Sequence, residues 1–81
     1  MISGAQIRAA RALLGISAKE LASISDVAWS TVQRYEAGGA AQIRSRDTAD
    51  RIQVALEAQG IEFLGDPVES PGVRLKPVRN E

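Results

Sequence analysis

The sequence predicts a mainly α fold: four short helices followed by a short C-terminal β-hairpin. Three observations predict it. Before Gly60 the chain is alanine-rich, and its apolar residues recur three and four positions apart. Two serine boxes, Ser3 with Gln6 and Ser17 with Glu20, carry the start signature of helices. After Gly60 the composition shifts to prolines, Gly65, Gly72 and short β-branched stretches. The shift divides the chain into a helical domain over 1–59 and a β appendage over 60–81.

The first helix runs from the Ser3 cap to about Leu14, with Ile7, Ala10 and Leu14 on one apolar stripe and Gly15 as its stop. Ser17 begins the second, which carries Leu21 and Ala22, and Asp26 tolerates the turn that follows. A third helix from about Ala28 to Ala37 turns Val32 and Tyr35 inward, and Gly38 with Gly39 end it. A loop through Ile43 leads to Ser45, the cap expected for a fourth helix. That helix carries Ala49, Ile52, Ala55 and Leu56 at helical spacing, and Gly60 closes it. The remainder makes two strands, "IEFL" and "VRLK". Ile61, Phe63, Val73 and Leu75 share one face while Arg74 and Lys76 take the other. Asn80 and Glu81 are expected to fray.

Composition narrows the function. A chain of 81 residues holds one small domain, with no room for a separate ligand-sensing domain. It has no cysteine and no histidine, which removes disulfides, thiolate metal sites and the commonest general base. Glu20 and Glu57 do not make an acid and base pair. No enzyme chemistry, metal or cofactor is expected. The N-terminus has no signal-type apolar run and nothing approaches a membrane span, so a cytoplasmic protein with no membrane partner is expected. Ten basic and ten acidic residues cancel, so net charge gives no sign of a nucleic-acid partner.

The second and third helices carry the functional signal. Two short helices crossing steeply over a short turn let the second stand clear and enter a DNA major groove. Leu21, Ile24, Val27 and Val32 supply the apolar contacts of such a pair, and Ala22 lets the helices approach. The stretch "SAKELASISDVAWSTVQRYEAG" resembles the lambda repressor and Cro-like family of helix-turn-helix regulators, also called the xenobiotic response element family. The matching residues are Leu21 with Ala22, Val27 after the turn, Ser30 to Val32, and Arg34 to Gly38. The resemblance implies a four-helix lambda-repressor-like DNA-binding domain over helices one to four. Where the family commonly has glutamine, this chain has Ala18, so the resemblance implies a phosphate contact that is either lost or moved to Lys19. Asp26 stands where glycine is frequent, and Ala28 where the third helix is often capped by serine.

By the same resemblance, Trp29, Ser30, Gln33 and Arg34 are the base-reading positions, opposite Val32 and Tyr35. Gln33 suits adenine, Arg34 guanine, and Trp29 a thymine methyl or the sugar edge. Lys19, Thr31, Arg44 and Arg46 are the phosphate candidates, with Arg8 and Arg11 behind them. Plainer roles stand beside these: Trp29 in the core or a dimer seam, Arg34 paired with Asp26 or Glu36, Ser30 and Gln33 as idle surface.

The family's operators are two-fold, which implies a homodimer on double-stranded DNA. The hairpin is either the dimer seam or a strand pair folded back over the fourth helix. The function expected is a repressor acting by operator occupancy. The alternative is a protein-interaction module, such as the antitoxin half of a toxin pair, whose tail orders on a partner protein.

Overall fold

The computed structural model describes residues 2–38 and 46–76. Four helices are followed by two strands: α1 (Gly4–Leu14), α2 (Ala18–Ser25), α3 (Trp29–Gly38), α4 (Arg46–Ala58), β1 (Ile61–Leu64) and β2 (Gly72–Leu75). Each element lies within a residue or so of its predicted bounds. Gly39, the loop through Ile43, Arg44, the Ser45 cap, Asn80 and Glu81 fall outside the described residues.

Both serine boxes form. The Ser3 hydroxyl accepts from the Gln6 N–H at 3.2 Å while Gln6 Oε1 accepts from the Ser3 N–H at 2.9 Å. Ser17 and Glu20 repeat the exchange at 3.0 and 3.2 Å. Two orphan donors are satisfied at each helix start, which fixes where the helices begin. Each helix then ends on a left-handed residue, Gly15 at φ 68° and Asp26 at φ 56°. A short polar side chain tolerates that conformation, so Asp26 does the work of the glycine frequent in the family.

The core is assembled from all four helices and β1. Ile7, Leu21, Val32, Ile52 and Leu56 are its largest fully buried side chains, joined by Ile2, Val27, Tyr35, Ala49 and Ile61. Leu14, Ala22, Phe63 and Val73 pack against its margin. Ile24 does not join it: the residue is 46% exposed. On α2 the inward positions are Leu21 and Ser25, one helical turn apart, and Ser25 is made compatible with burial by donating to the Leu21 carbonyl at 2.6 Å. Ile24, one position short of that line, is left on the surface. At α1 a Cβ on Gly4 would collide with the carbonyl oxygen of Tyr35, so only glycine lets the first turn of α1 lie on the backbone of α3.

The hairpin pairs Ile61 with Leu75, Glu62 with Arg74, Phe63 with Val73 and Leu64 with Gly72, antiparallel. The Lys76 N–H donates to the Gly60 carbonyl at 2.8 Å, so alternation makes Glu62/Arg74 and Leu64/Gly72 the hydrogen-bonded pairs. The backbone groups of Ile61, Phe63, Val73 and Leu75 consequently point to the outer edges of the sheet. The hairpin folds back within the chain, chiefly β2 against α1, with β1 against α4. The expected apolar face is present, but only Ile61 on it is buried; Phe63 and Val73 are half-buried, and Leu75, across from Ile61, remains 40% exposed.

Gln6 fastens the two parts together. Beyond its cap contact, its Nε2 donates to the carbonyls of Leu64 at 3.3 Å and Gly72 at 3.1 Å. This buried amide meets polar groups of α1, β1 and β2 at once. Replacing Gln6 with Met keeps the volume but strands those partners, and is expected to cost about 1–3 kcal/mol in chemical denaturation. Exchange of the hairpin amides should quicken in the same variant.

Candidate nucleic-acid interface

On α3, Val32, Tyr35 and Glu36 are buried while Trp29, Ser30, Gln33, Arg34 and Ala37 are exposed. At about 100° per residue the exposed residues span an arc of roughly 140° on one side of the helix. All four positions expected to read bases therefore share one open face. Trp29 is 44% exposed, which removes it from the core. Thr31 is half-buried at the margin of that arc, and its Oγ1 accepts a long hydrogen bond from Arg34 at 3.4 Å. Among the described residues Arg34 is ion-paired with neither Asp26 nor Glu36.

α3 starts without a side-chain cap. The Ala28 carbonyl accepts from Thr31 and Val32 at 3.0 and 3.1 Å, but its methyl group accepts nothing. The N–H groups at the start of α3 therefore have no side-chain acceptor at the cap position.

The other end of α3 is held from α1. Arg11 grips Glu36 in a two-pronged ion pair, Nε to Oε2 at 2.6 Å and Nη2 to Oε1 at 2.7 Å. Its Nη1 also donates to the Ile16 carbonyl at 3.2 Å. Arg8 donates to the Glu36 carbonyl oxygen. The carboxylate hydrogen bond holds the Arg11 guanidinium even more firmly protonated than usual, with burial opposing it more weakly. Both arginines thus serve the packing of α1 on α3, which accounts for them without a phosphate.

Sorting the remaining cations by partner separates two groups. Arg51 pairs with Asp47 one turn away, and Arg74 and Lys76 both pair with Glu62 across the hairpin. Arg74 is the main reason the Glu62 carboxyl lies below its ordinary range. Among the described residues Lys19, Arg34 and Arg46 have no carboxylate partner, and each was a candidate for DNA contact on sequence grounds. Arg46 is the exposed first residue of α4. Arg44 lies outside the described residues.

Lys19 and Trp29 meet directly. The Lys19 Nζ lies over the indole ring, 4.6 Å from its centroid, a cation–π contact worth about 0.5–1 kcal/mol at an exposed site. Nothing local in the sequence pairs these two residues, which lie ten positions apart on different helices. The signal that could have paired them is their placement in the first turns of two successive helices joined by a short turn.

A helix-turn-helix family model matches residues 7–56, the span that contains both helices and their turn. The chain belongs to this helix-turn-helix family. It is a DNA-binding transcriptional regulator of the Cro and repressor type, in a family of regulatory domains and not of enzymes. No curated protein sequence matches the chain at a significant level. Among the described residues no helix is long and apolar enough to cross a membrane.

The Arg11 and Glu36 pair sets a stability prediction with a built-in asymmetry. Arg11→Met leaves a nearly buried carboxylate without its partner and is expected to cost about 2–3 kcal/mol, below the range for a fully buried pair because Arg11 keeps some water contact. Glu36→Gln leaves a neutral amide that still accepts from Arg11, and should cost less. Urea titrations of both variants at neutral pH check the order.

Proposed function

We propose that this helix-turn-helix regulator is a sequence-specific repressor that acts as a homodimer by occupying an operator. One observation carries the reading: the side chains of α3 that suit base edges lie on one open face, Arg34 among them and Lys19 beside it, and neither cation has a carboxylate partner among the described residues. Arg34 suits a guanine edge and Gln33 an adenine edge, with Ser30 serving a base or a phosphate. Lys19, Thr31, Arg44 and Arg46 supply phosphate contacts that set the register of the helix in the groove.

The appendage over 60–81 is the natural place for the second copy. Its outward-pointing backbone groups belong to a two-stranded sheet, whose edge offers pairing to another strand. An antitoxin tail that orders only on its partner fits less well, because the hairpin through Lys76 already packs on the helices of its own chain.

Selection from a random duplex library, followed by labelled-duplex anisotropy, tests the operator reading. A homodimer should select a two-fold site whose half-sites lie about one helical turn, 10–10.5 base pairs, apart. Arg34→Ala should cost about 1–3 kcal/mol and relax preference at one position in each half-site. An unstructured selection, or equal loss on every sequence, would count against base reading by α3.

A further inference from the structure

Trp29 is an odd instrument for reading bases. Its ring offers a single hydrogen-bond donor, the Nε1–H, and no acceptor, so it cannot make the two-pronged contacts that distinguish base pairs in the major groove. One face of the indole is, moreover, already occupied by the Lys19 ammonium 4.6 Å from its centroid. That face is not available to a base or a sugar.

Lys19 is equally odd without the ring. It is the second residue of α2, where the helix dipole disfavours positive charge, and it has no carboxylate partner among the described residues. A lysine stem has four rotatable carbons, and fixing it against a phosphate costs conformational freedom. The indole face supplies the attraction that holds it. A cation–π contact leaves the charge in place, and the ammonium's three donors cannot all point into the ring, so a phosphate oxygen can still be bound on the open side.

We propose that Trp29 is a positioning residue that holds the Lys19 ammonium for a DNA phosphate, so that the two side chains act as one backbone contact where α2 and α3 begin. Base reading then falls to Ser30, Gln33 and Arg34. The inference rests on the DNA-binding reading and changes the part that the family resemblance gives to Trp29.

The test reads the salt dependence of duplex binding for the unmodified chain, Lys19→Gln, Trp29→Leu, the double variant and Trp29→Phe. One phosphate contact contributes about 0.9 to the slope of log affinity against log salt. Lys19→Gln, Trp29→Leu and the double variant should all lose that same increment once. The fall in affinity between 50 and 200 mM salt then becomes about 3.5-fold smaller in each. Trp29→Phe, which keeps a ring face, should retain most of it. Sequence preference should be unchanged in Trp29→Leu. A normal slope with relaxed preference at one base pair would make Trp29 a base reader and overturn the proposal, as would a double variant that loses twice the increment. The slopes are read on a scrambled duplex too, where only backbone contacts act. Loss of sequence preference in the unmodified chain would therefore remove the operator reading while the Lys19 and Trp29 contact is still judged; absence of any salt-dependent binding would remove both.

Discussion

Glu36 sits in the last turns of α3, where the helix dipole already leaves partial negative charge, and it is nearly buried there. Its carboxylate is tolerated because Arg11 reaches across from α1 with two matched hydrogen bonds, and Arg8 takes up the backbone oxygen of the same residue. The arrangement works as a hinge pin. With the C-terminal end of α3 fixed to α1, and Val32 and Tyr35 seated in the core, the rotation of the helix about its own axis is set. That rotation decides which side chains face outward. The left-handed turn at Asp26 then decides the angle at which the two helices meet, and the close seating of Gly4 against α3 keeps α1 near enough for its arginines to reach.

A neutral chain that binds a polyanion is less contradictory than it looks. What matters to a phosphate is the charge it meets locally, after internal pairing has been counted. Arg11, Arg51, Arg74 and Lys76 are answered by carboxylates of the same molecule, and Arg8 is spent on a carbonyl. Three carboxylates, Glu36, Asp47 and Glu62, are taken up in those ion pairs. Lys19 and Arg34, both within the helix-turn-helix, have no carboxylate partner among the described residues, so each keeps its charge for an outside anion.

Much of the fold could be read from the sequence because its signals are local. Ser3 with Gln6, Ser17 with Glu20, and Gly15 are complete within one helical turn, and all appear where the pattern put them. The alternation of Ile61, Phe63, Val73 and Leu75 likewise gave the strand faces. Contacts between elements were less legible. Ile24 reads as core by its chemistry, yet the inward line of α2 passes through Ser25, whose hydroxyl has a backbone oxygen to bond. Arg8 and Arg11 read as surface charge because nothing local marks Glu36 as their partner, 25 residues or more away. The exposed face of α3 followed from helical period alone, whereas the stacking of Lys19 on Trp29 depends on how two helices cross, which no single-helix pattern contains.

The Gln6 amide joins residues 58 and 66 positions apart, nearly the whole described chain. A closure of that span carries a larger entropy cost than any helix cap, so it belongs among the last native contacts to form. Within the described residues the domain is therefore latched end to end: the amide at the start of α1 finds partners for its N–H groups only in β1 and β2, so a displaced hairpin leaves a buried donor in the first helix.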